Sequence, residues 1–313
     1  MDKKPTRDGF GEGLVELGVN RKDVVVLSAD LTESTRAAWF KEKFPERFFA
    51  MGVSEQDMIC TAAGFALSGK IPYACTFGVF AAGRAWDQIR VSVAYMNLNV
   101  RIVGTHGGIS VGPDGPTHQA IEEITLMRAL PNMTVVVPCD AIEAKKATIA
   151  SASYKGPVYF RLGRSKVPVV TSENDDFEIG KAKILRNGGD VAIIACGYEV
   201  YEALVACDIL KKEGIEARLI NLHTIKPIDN DVIKAAARDT GAVVTAEEHT
   251  IIGGMGSACS EILAQEFPVP IEFVGVKDRF GESGSPDKLF EMFGLTAKYI
   301  AAAAKKAIAR KKK

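Results

Sequence analysis

Histidine is scarce in this sequence, with four residues in 313, and several features that would point to a function directly are missing. The six cysteines are scattered, with no CxxC pair and no cysteine–histidine cluster at zinc spacing. They predict small, mostly buried thiols in a reducing compartment rather than disulfides or a metal site. No apolar run approaches the ~18 residues that cross a bilayer, and the N-terminal stretch lacks the apolar core of a signal peptide. We therefore expect a soluble, cytoplasmic protein that does not bind membranes.

The formal charge is zero, with 39 basic and 39 acidic residues, but the charge is unevenly distributed. Residues 305–313 carry six basic side chains and no acidic one, which leaves a formal charge of −6 on the rest of the chain. A slightly acidic body lacks the clustered basic face of a nucleic-acid-binding protein, so we exclude nucleic acid as a partner. The basic tail is typical of a solvated helix end, where cations are favourable, and a polybasic contact is the alternative.

Short β-branched runs alternate with amphipathic stretches of helical period, which predicts an α/β fold with parallel sheets and crossover helices. The predicted strands cover residues 24–28, 71–77, 99–105, 134–138 and 157–162, then 190–196, 215–221, 242–248 and 271–276. The predicted helices cover 8–18, 35–43, 55–68, 81–96, 120–129 and 140–153, then 199–213, 229–238, 256–266 and two at the end. The alternation of strands and helices stops over residues 163–189, which are rich in Gly, Pro, Ser and acidic residues. This segment indicates a linker with one edge strand. We expect domains at 1–165 and 188–313, joined by a linker at 166–187.

Two glycine-rich stretches are close to phosphate-binding motifs, but each lacks a residue that its motif requires. Residues 64–70 match the start of a P-loop, but Ile71 stands where Ser or Thr must hold magnesium, and the order is helix then strand. Residues 254–259 resemble a dinucleotide fingerprint that ends in Cys259 instead of Gly or Ala. We interpret them as a helix C-cap at Gly69 and a tight strand-to-helix turn.

The histidines that do occur are concentrated in one loop. His106 and His118 bracket THGGISVGPDGPTH, directly after a predicted strand, and the same loop holds Asp114. Ligands of open parallel sheets bind at the carboxyl ends of strands, so this loop predicts a functional site rather than a plain glycine-rich surface loop. Two further clusters are candidates. In GVSEQDM at 52–58, Ser54 is a candidate N-cap that places Glu55 in the first helical turn, where compensation of the helix dipole is the favoured interpretation without further context. TFGVF at 76–80 lies at the carboxyl end of another predicted strand, and core packing is the default interpretation of its two aromatic residues.

Together these stretches resemble the C-terminal half of transketolases, thiamine-diphosphate enzymes that move two-carbon ketol units between sugar phosphates. The resemblance covers essentially the whole chain, and implies a pyrimidine-binding domain followed by a smaller transketolase C-terminal-like α/β domain. It is carried by PTR at 5–7, SADLTES at 28–34, MGVSEQDM at 51–58, TFGVF at 76–80, the histidine loop through Gln119, RALPNM at 128–133 and AEEH…GGMGSA at 246–258.

The resemblance implies roles for individual residues. Glu55 is similar to the carboxylate that protonates the pyrimidine ring of the cofactor, and a desolvated site beside Phe77 and Phe80 would suit that task. Phe80, with Phe77 beside it, matches the aromatic wall against that ring, and Asp30 and Leu31 are expected close to the cofactor.

On the substrate side, the resemblance implies that His106 and His118 contact substrate and relay protons. Asp114 is expected to bind a substrate hydroxyl. The sugar-phosphate contacts implied by the family are Arg7, Ser34, His106 and Arg164. Arg161 competes with Arg164 for the last of these positions.

Two departures from the family pattern are visible. Gly83 stands where a third pocket aromatic is common, and no Gly-Asp-Gly motif occurs to hold a divalent cation on the cofactor diphosphate. We therefore expect no metal ligand in this chain, and a separate N-terminal, diphosphate-binding subunit that holds Mg²⁺ or Ca²⁺. The implied function is the C-terminal subunit of a split transketolase of the pentose phosphate pathway, as an α2β2 heterotetramer. The alternatives are a β-type subunit of a 2-oxo acid dehydrogenase, a deoxyxylulose-phosphate-synthase-like enzyme and a non-catalytic assembly subunit.

Overall fold

The computed structural model describes residues 2–311. Its strands are β1 (Lys3–Lys4), β2 (Val24–Ser28), β3 (Phe48–Ala50), β4 (Ile71–Phe77), β5 (Arg101–Thr105), β6 (Thr134–Val136), β7 (Val158–Arg161), β8 (Val167–Pro168), β9 (Lys183–Arg186), β10 (Val191–Ala195), β11 (Ala217–Asn221), β12 (Thr224–Lys226), β13 (Val243–Thr250) and β14 (Ile271–Val276). Its α-helices are α1 (Thr6–Asn20), α2 (Ala38–Lys43), α3 (Glu55–Leu67), α4 (Gly78–Arg84), α5 (Trp86–Gln88), α6 (Glu123–Arg128), α7 (Ala141–Ser151), α8 (Glu199–Lys212), α9 (Asn230–Thr240), α10 (Met255–Glu266), α11 (Pro286–Phe293) and α12 (Ala297–Ala309). Shorter helical segments are Pro45–Arg47 and Ile109–Asp114 (3₁₀) and Ile89–Ala94 (π).

The described residues form two large sheets flanked by helices and a small antiparallel pair of β1 with β8, which confirms the predicted α/β class. The first sheet has the order β12-β6-β7-β5-β4-β2-β3, and all its neighbours are parallel except β12 against β6. The second has the order β14-β13-β10-β11-β9, with only β9 antiparallel. Strands β2, β4 and β10 are buried along their whole length, as expected when helices cover both faces of a parallel sheet.

Strand β12 was missed by the sequence analysis and ties the two halves together. It comes from the second half of the chain but pairs with β6 in the first sheet. One hydrophobic cluster accordingly contains residues of both halves, such as Ile102 and Ile220. The two sheets are therefore joined through packed core as well as through the segment between them.

The single helix predicted over 81–96 is wrong. Helix α4 ends at Arg84, α5 follows from Trp86, and the chain then passes into a π-helical segment. π-helical turns are frequent at functional sites. The break between α4 and α5 leaves Arg84 as the last residue of α4.

Helix α1 lies unusually close to α7. A Cβ added to Gly9 would come within 1.9 Å of the Ala141 carbonyl oxygen, so a larger residue cannot fit there. This close approach holds the first turn of α1, which carries Arg7, against the body of the domain.

Five of the six cysteines are buried as predicted, and Cys60 on α3 is exposed. The described part of the basic tail is an exposed helix end, as predicted: Lys305, Lys306 and Arg310 lie at the end of α12 with 47%, 69% and 51% of their side chains exposed. At the surface, Lys305 pairs with Glu213 at 3.0 Å, and Lys306 and Arg310 both pair with Glu272. The last two lysines of the predicted tail lie outside the described residues. Within residues 2–311, no helix is long and apolar enough to cross a membrane.

Candidate active site

The carboxyl ends of three neighbouring strands bring the predicted site residues together. Strands β5, β4 and β2 lie side by side, and Phe77 ends β4 while His106 directly follows β5. Asp30 follows β2 with a φ of 58°, in the left-handed region. The edge that they form is where open parallel sheets bind ligands.

On this edge lies a cavity of about 250 Å³ that we call the anion pocket, lined by Arg7, Glu33, Ser34, Arg36, Phe77, His106, Asp114 and Arg164. Arg7 donates from Nη1 to the Ser34 carbonyl oxygen at 2.8 Å and lies 3.4 Å from His106 Nε2. Its Nε is buried without a hydrogen-bond partner among the described residues. Burial and the neighbouring Arg36 lower the pKa of Arg7 to about 10, which still leaves it cationic at neutral pH.

The structure places Arg164, and not Arg161, in the wall of the anion pocket. Arg164 Nη1 donates to the Val111 carbonyl at 3.1 Å and to Asp114 Oδ2 at 3.0 Å, which orients it along the histidine loop. Arg161 is 5% exposed and forms an ion pair with buried Glu123 at 2.6 Å. Its guanidinium is committed to the interior and is not available to a ligand in the pocket.

Arg36 is a third arginine of the anion pocket that the sequence analysis missed. Its backbone has a φ of +68°, which is uncommon for a residue with a long side chain and is typical of functional sites. Its guanidinium is held by Asp8 at 2.6 Å and by the Glu33 carbonyl at 3.1 Å. No motif marks this position, because its role depends on how α1 meets the loop after β2.

His106 is nearly fully buried, and its ring is held in a fixed orientation in the pocket. The imidazole stacks on Phe77 with the ring centroids 3.8 Å apart, and Nδ1 lies 2.9 Å from Thr105 Oγ1. Since Arg7 can only donate, Nε2 must accept from it, so the proton sits on Nδ1 and is donated to Thr105. Burial, together with Arg7 and Arg164, lowers the pKa of His106 to about 3.

This environment predicts that His106 stays neutral. A base whose pKa is lowered keeps its neutral form at every pH above that value, so no protonation is expected between about pH 5 and 9. Nuclear magnetic resonance of the four histidines across that range, with His106→Gln to assign the signal, measures this directly. A His106 titration near pH 6.5 would contradict the geometry, since it requires a solvated ring.

His118 lies at the other end of the loop with less burial. Its ring meets Phe77 and Phe80 edge-on, with centroids 6.1 and 5.6 Å apart, and Nδ1 lies 2.9 Å from Thr117 Oγ1. Both loop histidines therefore contact Phe77: His106 stacks on it, and His118 meets it edge-on.

The histidine loop (106–118) is held from both sides by the second half of the chain. Glu248 of β13 accepts a hydrogen bond from the Ser110 amide, and Gln119 donates to the carbonyls of Ile109 and Glu282 at 3.1 and 2.9 Å. A Cβ on Gly108 would lie 2.2 Å from the Glu248 carboxyl, so only glycine allows this approach. The C-terminal domain thus fixes the loop that carries the site.

A second cavity, which we call the carboxylate pocket, has a volume of about 630 Å³ and is lined by Val53, Ser54, Glu55, Gln56, Asp57 and Arg84. Glu55 is 4% exposed and begins α3. Ser54 occupies the N-cap position but makes no capping hydrogen bond, and its hydroxyl donates to the Met51 carbonyl at 2.6 Å instead. The predicted side-chain cap is therefore wrong, whereas the predicted helix start is confirmed.

Arg84, also missed from the sequence, lines the carboxylate pocket and pairs with Glu55. Its Nη1 lies 3.2 and 3.4 Å from the two oxygens of Glu55, and its guanidinium carbon is 4.1 Å from the centre of the Phe80 ring. Phe80 in turn lies 5.9 Å from Phe77, ring centre to ring centre. Because Phe77 lines the anion pocket, the two cavities are linked by one aromatic pair. Asp30 is exposed and Leu31 half-buried, and neither lines these two cavities.

Comparison with known proteins gives the same assignment for both halves of the chain. The family model for the transketolase pyrimidine-binding domain matches residues 2–170, and that for the transketolase C-terminal domain matches residues 180–300.

Three of the similar proteins match over nearly their whole length. A protein of Methanocaldococcus jannaschii, provisionally named transketolase C-terminal section, is 48% identical over 95% of this chain and 94% of its own length. A 6-deoxy-6-sulfo-D-fructose transketolase subunit of a Clostridium species is 45% identical over 97% of this chain and 95% of its own. A solved structure described as an inactive β4 tetramer of a split-gene transketolase has a TM-score of 0.93 and 50% identity, covering 98% of this chain and 99% of that one. The chain therefore belongs to the transketolase family and carries its pyrimidine-binding and C-terminal domains.

Proposed function

We propose that this chain is the C-terminal subunit of a split transketolase, which transfers a two-carbon ketol unit between ketose and aldose phosphates with thiamine diphosphate. The observation that carries the proposal is the pairing of two pockets across Phe77 and Phe80, one built around a buried carboxylate and the other around three arginines. We place the reaction in the pentose phosphate pathway.

The residues of the carboxylate pocket fit the aminopyrimidine end of thiamine diphosphate. A buried carboxylate near the face of an aromatic ring suits a flat, nitrogen-containing ring. A flat group with N–H donors, the guanidinium of Arg84, already makes both contacts. Glu55 would hold a proton at the ring nitrogen, and Phe80 would lie against the ring. When bound, the cofactor supplies the electron sink for breaking the carbon–carbon bond of the ketose.

The other site residues act on the substrate. Arg7 and Arg164, with Ser34, would bind the terminal anion of the sugar, because guanidinium groups form charge-assisted bonds to phosphate. His106, as a neutral ring, accepts a hydrogen bond at Nε2 and so orients Arg7. His118 would move protons and Asp114 would bind a sugar hydroxyl at the same opening.

We propose that the diphosphate end of the cofactor and its Mg²⁺ or Ca²⁺ are held by a separate N-terminal subunit. The absence of a Gly-Asp-Gly motif from the sequence supports this, as does the split-gene description of the similar structure. That structure's β4 form supports self-association of this chain, and we propose α2β2 for the complete enzyme. The match of both halves to transketolase models favours this assignment over a 2-oxo acid dehydrogenase subunit. A non-catalytic assembly subunit would have no need of the paired pockets.

Arg7→Gln tests the substrate class. In the assembled enzyme we expect it to lower kcat/KM for phosphorylated sugars by about 10²-fold, since each lost bond to a charged group contributes ~1.5–3 kcal/mol. The kcat/KM for a ketose donor without a phosphate should fall far less. The kcat/KM for a sulfonated ketose, compared with that for the phosphorylated one, measures how strictly the site requires phosphate. The matched control is Arg21→Gln, which removes an arginine paired with Asp23 at the far end of the same helix. An equal loss on both kinds of ketose would argue against an anion site at Arg7.

A further inference from the structure

The buried carboxylate of the carboxylate pocket is paired with an arginine of its own chain. Glu55 is buried, with 4% of its side chain exposed, while Arg84 is 51% exposed, and one guanidinium nitrogen contacts both carboxylate oxygens. The same guanidinium lies over the face of Phe80. A single flat cation therefore satisfies the buried carboxylate and covers one face of the Phe80 ring.

These are the two contacts that the proposed function assigns to the aminopyrimidine ring. A flat ring cannot lie against the same face of Phe80 and bond to the same carboxylate while the guanidinium is there. We propose that Arg84 occupies the aminopyrimidine seat, formed by Glu55 and Phe80, in the free subunit and has to be displaced when the cofactor ring enters. This inference rests on the proposed function, because it takes the pocket to be the cofactor seat.

The local structure allows the guanidinium to leave without disturbing the fold. Arg84 ends α4, and a Cβ added to the preceding Gly83 would meet no heavy atom within 4 Å, so the surroundings are open. Its backbone is held separately, by a hydrogen bond of 3.2 Å from Gln56 Nε2 to its carbonyl oxygen. Only side-chain contacts need to break, and Asp57 in the wall of the same cavity offers the displaced cation another carboxylate.

The contact has a physical reason and a consequence for affinity. A carboxylate removed from water without a partner is costly, and Arg84 supplies the partner while the seat is empty. A ligand that takes the seat must replace an ion pair and a cation–π contact, so its apparent affinity is reduced. Removing Arg84 leaves Glu55 unpaired in the empty seat and should make the seat bind more tightly.

The test uses the purified chain and the aminopyrimidine half of the cofactor, 4-amino-5-hydroxymethyl-2-methylpyrimidine, with affinity measured by calorimetry. For Arg84→Gln we expect the dissociation constant to fall about fivefold to twentyfold, the range of one half-exposed ion pair and one cation–π contact together. Arg84→Lys keeps the charge without the flat guanidinium. Its dissociation constant should lie between those of the unmodified chain and Arg84→Gln. Arg90→Gln, at an exposed arginine six residues further on, is the matched control and should leave the affinity unchanged.

An affinity of Arg84→Gln that equals or falls below that of the unmodified chain, or an equal tightening by Arg90→Gln, would overturn the proposal. Failure of the proposed function has a different signature, namely no ketol transfer by the assembled enzyme. If Arg84→Gln binds the aminopyrimidine more tightly but the assembled enzyme transfers no ketol unit, the proposal for Arg84 is supported and only the proposed reaction is refuted.

Discussion

Glu55→Gln is expected to slow exchange of the thiazolium C2 proton of thiamine diphosphate by about 10²–10⁴-fold in the assembled enzyme, the usual contribution of a positioned proton-transfer group. Glutamine has nearly the same shape as glutamate, but it can neither hold nor release the proton that the aminopyrimidine nitrogen requires. The proton exchange is followed by magnetic resonance after transfer into heavy water, so the readout reports cofactor activation before any sugar is bound.

The structure also supplies the control for this substitution. Asp57 lines the same cavity but is exposed, so Asp57→Asn removes a carboxylate from the pocket without removing the buried one. Because the amide oxygen introduced by Glu55→Gln can still accept a hydrogen bond from Arg84, the fold around α3 should be retained, which circular dichroism checks. Undiminished exchange in Glu55→Gln, or an equal loss in Asp57→Asn, would refute the role given to Glu55.

Strands that lie within an apolar run of the sequence were predictable, including the three-residue β6 within the run at 134–138, whereas β3 and β12 were not. Strands β2, β4 and β14 lie where their apolar runs placed them, because a buried parallel strand needs a continuous run of β-branched and apolar residues. Strands β3 and β12 have three residues each, and their partners are distant in sequence. A three-residue strand carries no periodicity, so its pairing is decided by the assembled domain.

The candidate site was predictable where a loop follows a strand. His106, Asp114 and His118 belong to one glycine-rich loop after β5, and Glu55 begins a helix where the serine before it predicted a start.

Two arginines of the site, Arg36 and Arg84, could not be found in the same way. Arg84 lies in a stretch with the pattern of a helix interior, and Arg36 has no motif around it. Arg84 acquires its role because α4 ends there beside Glu55, and Arg36 because the chain turns into the left-handed region. Both depend on where distant backbone segments meet, which a local pattern does not contain.

The choice between Arg161 and Arg164 shows the same limit. They are three residues apart on one strand and loop, and only the structure shows that Glu123 and the Glu248 carbonyl bind Arg161 in the interior. An arginine with a buried carboxylate partner is unavailable to a ligand, because removing one member of a buried pair leaves the other charge uncompensated.

The largest expected effect concerns the chain as a whole, because it carries the pyrimidine half of the proposed site. We propose that the half that binds the diphosphate and its metal ion is supplied by a separate subunit, since the sequence contains no Gly-Asp-Gly motif. The carboxylate and anion pockets are therefore expected to be necessary but insufficient for ketol transfer.

The most direct measurement is ketol transfer from xylulose 5-phosphate to ribose 5-phosphate, with thiamine diphosphate and Mg²⁺, by this chain alone, by a diphosphate-binding transketolase subunit alone, and by the two mixed. We predict no activity above background for either chain and full, cofactor-dependent activity for the mixture. Full activity of this chain alone would contradict the account, and so would a mixture that forms a stable complex with bound cofactor yet transfers no ketol unit.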